Sequence, residues 1–128
     1  MSKYVEIIQL VDGYRPNSLE DHLKLWWLVS LDGKIAVELM RMDPVTVREM
    51  MDCGYPEGLE HEPLIEFPHQ ELYLHYLQAK ICYTEGEYND YQNAMESFNA
   101  AYMDFSEWFL NRYDPVQGYP SEEEEAAL

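Results

Sequence analysis

The sequence has few basic residues, and the shortage limits what this protein can bind. Its 128 residues contain 8 Lys and Arg against 25 Asp and Glu, a formal net charge of −17. The imbalance is concentrated in residues 49–128, which hold eighteen acids and only two bases, Lys80 and Arg112. An acidic surface repels nucleic-acid phosphates. We therefore do not expect this protein to bind DNA through a basic patch.

Cysteines and long apolar runs are also scarce. Cys53 and Cys82 are the only cysteines, too few for a disulfide scaffold of this size. We expect both to be reduced, with Cys82 acting as a small buried hydrophobe.

No run of about 18 apolar residues could form a membrane span. The opening MSKYVEIIQLVDGY is interrupted by Glu6 and Asp12 and lacks the apolar block of a secretory signal, so we expect a cytoplasmic protein.

The motifs of catalysis and of metal or phosphate binding are missing as well. The histidines have no zinc-ligand spacing, and the acids of 57–66 lack the order of a calcium loop. No glycine-rich phosphate loop and no serine nucleophile motif is present. We expect surface or loop histidines (His22, His61, His69 and His75), no enzymatic activity, no cofactor and no metal site.

Large apolar residues are abundant, and their clearest pattern lies in 88–109. Six of them recur at steps of four and three, which places them in one stripe along an α-helix: Tyr91, Met95, Phe98, Tyr102, Phe105 and Phe109. Each fully buried large side chain contributes roughly 1.5–3 kcal/mol. The rest of the chain must therefore cover this stripe.

The first half of the chain predicts two helices. Residues 3–11 form a short helix with Val5, Ile8 and either Leu10 or Val11 inward, ended by Asp12-Gly13. Ser18 caps a second helix over 19–41, which Asp32-Gly33 either weakens or splits into two. Its inward ridge steps by four through Leu23, Trp27, Leu31, Ile35 and Leu39, and Trp26, Leu28 and Val37 widen the buried face.

The second half predicts a helical hairpin behind an irregular segment. Pro44 opens a short helix over 45–51, and 53–68 forms an extended acidic loop. Pro68 starts a helix over 69–85, with Leu72, Tyr76, Ala79 and Tyr83 in its stripe. A break at Gly86 then folds a helix over 87–113 back against it.

The predicted fold class is therefore all-α: a small helical bundle built on a long C-terminal helical hairpin, with a proline-rich acidic loop and an acidic C-terminal tail. Residues 1–113 form a single helical domain. Residues 114–128 form an acidic flexible tail.

Several short motifs follow one another in order over about residues 15–113. The first is Arg15-Pro16-Asn17 followed by Trp27-Leu28-x-x-Leu31-Asp32-Gly33-Lys34-Ile35. The second is Phe67-Pro68-x-x-x-Leu72-Tyr73-x-x-Tyr76-Leu77-x-Ala79-Lys80-Ile81. The third is Gly86-Glu87-Tyr88-Asn89-x-Tyr91-x-Asn93 and Phe98-Asn99-x-x-Tyr102-x-x-Phe105. In their order and spacing these motifs resemble the small head–tail connector proteins of tailed phages and prophages of Gram-positive bacteria.

The resemblance implies an all-helical structural protein of the virion, located at the head–tail junction and assembled in the host cytoplasm. Such an adaptor docks as a ring on the portal after DNA packaging and links head to tail. Its expected partners are further copies of itself, the portal protein and the next tail-side adaptor or stopper. DNA passes through the lumen without specific binding. The family has no catalytic residues to transfer.

Irregular, charged segments are the places where we expect protein contacts. We expect 54–67 and the tail to make intersubunit or portal contacts, with these candidate interface residues: Tyr55, Pro56, Glu57, Leu59, Glu60, Glu62, Tyr119, Glu122, Glu123, Glu124 and Glu125.

A different class of function is also open. A small acidic phage protein can mimic DNA and inhibit a host nucleic-acid-binding protein. Such mimicry needs closely spaced acids along one exposed face. The acids of 88–113 are sparse and share their faces with asparagines, which counts against this alternative.

Overall fold

A computed structural model describes residues 3–52 and 54–113. The helices in these ranges are α1 (Tyr4–Tyr14), α2 (Asp21–Glu38), α3 (Pro44–Met51), α4 (Glu71–Thr84) and α5 (Tyr88–Tyr113), with a 3₁₀ turn at Glu57–Glu60 between α3 and α4. No strand occurs within the described ranges. The all-α prediction is therefore confirmed for this part of the chain. None of the helices described there is long and apolar enough to cross a membrane.

The helical hairpin of α4 and α5 is the largest packing unit of the fold. The predicted stripe of α5 faces inward: Phe98 and Phe105 are buried, and the other four members are half-buried. Ring contacts run along the hairpin, and the centroids of the Tyr76 and Phe98 rings lie 5.2 Å apart. The spacing of the stripe thus predicted the correct face of α5.

Helices α1 and α2 cover the hairpin and both contact α4, whereas α3 packs on α2. They contribute much of a continuous apolar core, including Ile7, Val11, Leu28 and Ile35. The guanidinium of Arg15, just after α1, forms ion pairs with Glu87 and, at 2.7 Å, with Asp90. These pairs connect the end of α1 to the start of α5.

Several predicted boundaries and faces of the first two helices were wrong. Helix α1 continues through Gly13 to Tyr14. Ile8 and Val11 are buried as predicted, but Val5 is only half-buried and Leu10 is 39% exposed, whereas Tyr4 and Ile7 are buried. Helix α2 begins at Asp21 rather than after Ser18, and its N-cap, Glu20, makes no capping hydrogen bond through its side chain.

Helix α2 also runs without interruption through Asp32-Gly33, so the alternative of two helices was wrong. Gly33 lies against α3: a Cβ built on it would come within 3.9 Å of Val47. Trp26 was predicted to widen the buried face of α2, but it is 63% exposed.

Differences in the second half are smaller. The short helix opened by Pro44 is confirmed, and the carboxylate of Asp43 accepts a hydrogen bond from the backbone N–H of Thr46 at its start. Pro68 lies outside α4, which begins three residues later.

Tyr83 is 58% exposed, although its ring contacts Tyr88 and Tyr91. Cys82 is buried with a free thiol, as predicted; Cys53 and the tail 114–128 lie outside the described residues.

The turn of the hairpin depends on Gly86, whose φ is +78°. An L-residue is strained in this region. We expect Gly86→Ala to lower the free energy of unfolding by about 1 kcal/mol or more, as measured by urea denaturation.

Gly13→Ala is the matched control, because Gly13 lies within α1 and a Cβ there would have no atom within 4 Å. That change should be neutral or stabilising, by up to about 1 kcal/mol. Equal effects of the two substitutions would contradict a requirement for positive φ at Gly86.

Candidate functional site

The structure forms an apolar groove where the segment after α3 returns across α2. Its volume is about 160 Å³, and it is lined by residues that include Val29, Met50, Met51, Gly58, Glu62 and Leu64. We call it the methionine groove. Methionine side chains are unbranched and polarisable, so they adapt to differently shaped ligands. The groove is therefore suited to contact an apolar side chain of another molecule.

Large exposed side chains lie on the elements that form this groove or next to them in the chain. Met50 is 55% exposed, and Trp26 lies one helical turn before Val29 on α2. Tyr55 is 54% exposed and contacts His22, which lies one turn before Trp26, with 6.0 Å between ring centroids. Trp, Tyr and Met are enriched in protein interfaces relative to other surfaces. Their concentration here marks a candidate protein-interaction surface.

Of the described members of the predicted interface set, Glu62 lines the groove itself. Tyr55 and Pro56 are exposed just before the 3₁₀ turn, and Glu57 begins that turn. Glu60 is bound to Lys3, with 3.0 Å between Nζ and Oε1. Leu59 differs from the others, because it is half-buried and packs against the core. The tail members, Tyr119 and Glu122 to Glu125, lie outside the described residues.

A buried carboxylate fixes the segment that borders the groove. Asp32 of α2 is fully buried and accepts hydrogen bonds from the hydroxyl of Tyr4 at 2.5 Å and from that of Tyr73 at 2.6 Å. The backbone N–H of Leu64 donates a third bond to the same carboxylate at 3.0 Å. One side chain thus joins α1, α2 and α4 to the loop that lines the groove.

The next residue of the loop is fixed through the same cluster. The hydroxyl of Tyr73 accepts a hydrogen bond from the backbone N–H of Ile65 at 2.8 Å. The carbonyl of Ile65 in turn accepts a bond from the side-chain amide of Gln70 at 3.0 Å. Two consecutive residues of an irregular segment therefore have their backbone groups satisfied by buried side chains, which makes this part of the loop a defined surface.

The electrostatics of the cluster are dominated by desolvation. Burial raises the pKa of the Asp32 carboxyl above its ordinary value of 3.8, although the three donated hydrogen bonds oppose the shift. Burial next to Asp32 also raises the pKa of both Tyr4 and Tyr73, so both hydroxyls stay protonated and act as donors. This arrangement anchors the loop to α1, α2 and α4.

The role of Asp32 was not predicted from the sequence, in which Asp32-Gly33 was interpreted as a weak point of the second helix. A signal was nevertheless available, since Asp32 directly follows Leu31 and precedes Ile35 by one turn in the apolar ridge of α2. An acid at the edge of such a ridge needs buried partners. The tyrosine-rich composition could have suggested phenolic donors, but which tyrosines reach it depends on the tertiary fold.

A second groove lies at the open end of the hairpin, and we call it the Phe67 groove. It has a volume of about 170 Å³ and is lined in part by Met40, Phe67, Phe105 and Trp108. Phe67 is 88% exposed. His69 is half-buried here, 5.4 Å from the Phe105 ring and 5.1 Å from the Trp108 ring between centroids. The guanidinium of Arg112 lies 5.4 Å from the centroid of the Trp108 ring.

Metal-ligating side chains do not converge within the part of the chain that the structure describes. No group of three or more His, Cys, Asp or Glu residues in 3–52 and 54–113 could hold a metal ion.

Comparison with protein-family models, with curated proteins and with solved structures finds no match for this chain.

The Asp32 cluster predicts a large and specific effect on stability. Asp32→Ala removes the acceptor of three buried donors, each of which costs about 1–3 kcal/mol when left unsatisfied. We expect the free energy of unfolding to fall by roughly 3 kcal/mol or more. Asp43→Ala, which removes an exposed helix cap, should cost only about 1 kcal/mol. Similar costs for the two changes would contradict the anchoring role.

The raised pKa of Asp32 predicts a pH dependence with a defined sign. The folded protein binds more protons than the unfolded chain between the ordinary value of 3.8 and the raised pKa. The contribution of Asp32 to the free energy of unfolding therefore falls as pH rises through that interval. The variant Asp32→Asn cannot ionise at this position. Paired urea titrations of the wild type and the variant give the difference between their unfolding free energies, wild type minus variant. We expect this difference to decrease as pH rises. A difference that stays constant or increases would contradict this result.

Proposed function

We propose that this protein is a head–tail connector of a tailed phage or prophage. In this role it docks as a ring on the portal after DNA packaging and links the head to the tail. The observation that carries the proposal is the methionine groove, a candidate protein-interaction surface on an all-helical scaffold. The motifs over 15–113, in their order, resemble those of head–tail connectors. This resemblance indicates the kind of assembly in which we expect the scaffold to be used.

The helical hairpin supports assembly into a ring. Heterologous contacts between identical subunits form a closed ring when the rotation between neighbours permits it. A rigid hairpin covered on one side by α1 and α2 is a unit that can be repeated in this way. The partners in this proposal are further copies of the chain, the portal protein and the next tail-side adaptor or stopper.

The charge distribution supports a path for DNA without specific binding. The outer surface of α5 exposes Glu96, Asp104 and Glu107 between neutral residues such as Asn93 and Asn99. A lumen with this charge suppresses contacts with phosphates. In the proposed role the protein acts through protein contacts at the head–tail junction and performs no catalysis.

Electron microscopy of particles from a phage or prophage lacking this gene tests the proposal. We expect tail-less heads that have packaged DNA and then leak it, because the portal vertex would have no adaptor to retain the genome or bind the tail. Supplying the wild-type gene in trans should restore tailed particles.

Normal tailed virions from the deletion strain would contradict the connector role. The competing function, inhibition of a host nucleic-acid-binding protein by DNA mimicry, would then be the next to test, by competition with DNA for that protein.

The contribution of the tail has its own test. Deletion of residues 116–128 should reduce binding to purified portals if the tail makes portal or intersubunit contacts. Unchanged binding would remove the tail from the proposed interface and leave the role to the helical domain.

A further inference from the structure

The exposed side chains around the methionine groove are those that contribute most to binding in protein complexes. Trp26, Met50 and Tyr55 are each more than half exposed. Truncation of aromatic anchors at an interface commonly weakens binding by tenfold or more. The groove beside them is concave, so a protruding apolar side chain of a partner would gain buried contact there.

The border of the groove is acidic. Residues 49–66 contain six exposed acids and no Lys or Arg. Glu62 lines the groove, and Glu49, Asp52 and Glu57 each adjoin a lining residue in the sequence. Glu66 lines the Phe67 groove instead, and Glu60 pairs with Lys3. The first four acids form no ion pair with any described residue. Helix α3 contributes one base, Arg48, just before this stretch. An exposed negative border next to an apolar groove selects for a positively charged partner.

A second copy of this chain is a poor match for that border. Each copy brings a net charge of −17 and has eight bases against 25 acids. Five of these bases are engaged within their own chain: Lys3, Arg15 and Lys24 in ion pairs, and Lys80 and Arg112 over aromatic rings. The other three, Lys34, Arg41 and Arg48, are exposed but few against the acids that a second copy also brings. The occupant that fits the charge is therefore a different protein.

We propose that the methionine groove docks a basic segment of a partner protein that carries at least one large apolar side chain. The apolar side chain enters between Met50, Met51 and Val29, and the basic groups meet Glu57 and Glu62. Trp26 and Tyr55 cover the edges of the docked segment. This inference rests on the proposed function in assigning the surface to a neighbouring protein, and it adds the chemistry of that neighbour.

Methyl NMR of the full chain, labelled at the methionine methyl groups, tests the proposal. The probe is a synthetic peptide of lysines and leucines in helical spacing. We expect the methyl resonances of Met50 and Met51 to shift, while that of Met103, 60% exposed on α5, does not. Peptides with glutamate in place of lysine, or serine in place of leucine, should bind at least about tenfold more weakly.

Matched variants separate the groove from general attraction to an acidic protein. The double change Trp26→Ala, Met50→Ala should weaken binding by about tenfold or more. Phe67→Ala, which removes an exposed aromatic from the other groove, should leave binding unchanged. Glu57→Lys with Glu62→Lys should weaken binding strongly, and Glu96→Lys with Glu107→Lys, an equal change of net charge on α5, only slightly.

The outcomes distinguish this inference from the connector role. Failure of the lysine–leucine peptide to bind would overturn the docking proposal, as would equal shifts at Met103 or equal effects of the two charge changes. Tail-less heads from the deletion strain would still support a connector in that case. Conversely, specific peptide binding with normal virions would retain the docking surface and reject the connector role.

Discussion

The buried carboxylate of Asp32 is the constraint on which the arrangement of this fold depends. A carboxylate out of contact with water is costly unless donors surround it. Tyr4 of α1, Tyr73 of α4 and the backbone of Leu64 supply those donors. Because each donor comes from a different segment, the positions of the two helices and of the loop relative to α2 are fixed together. Displacing any of them would leave a polar group unsatisfied in the core.

The methionine groove follows from this constraint. Leu64 lines the groove and is held by Asp32, while Ile65 is held through Tyr73 and Gln70. A loop attached only by apolar contacts could shift its register at little cost. Here the hydrogen bonds to buried side chains select one conformation, so a surface with an irregular backbone is already formed before a partner binds. Binding to such a surface loses less conformational entropy than binding to a mobile loop.

Most of the helical fold could be predicted from the sequence, because its signals are local. The stripe from Tyr91 to Phe109 gave the buried face of α5, and Gly86 gave the turn of the hairpin. Asp32 was misread because its partners are distant in the chain: Tyr73 is separated from it by 41 residues. Trp26 was assigned to the core for a related reason. Apolar periodicity identifies the side chains that can be buried, but it cannot show which of them a neighbouring element covers.

The form of the candidate groove could not be predicted from the sequence. Proline, glycine and charge led to the prediction that the segment after α3 makes protein contacts, and Glu62 of that segment lines the groove. Val29 and Met50, however, come from helices before that segment, and only the packing of α2, α3 and the loop brings them together. This combination also explains why an acidic loop can act as more than a solubilising surface. Acids alone attract any cation weakly, whereas acids around an apolar groove select a cation that is attached to an apolar side chain.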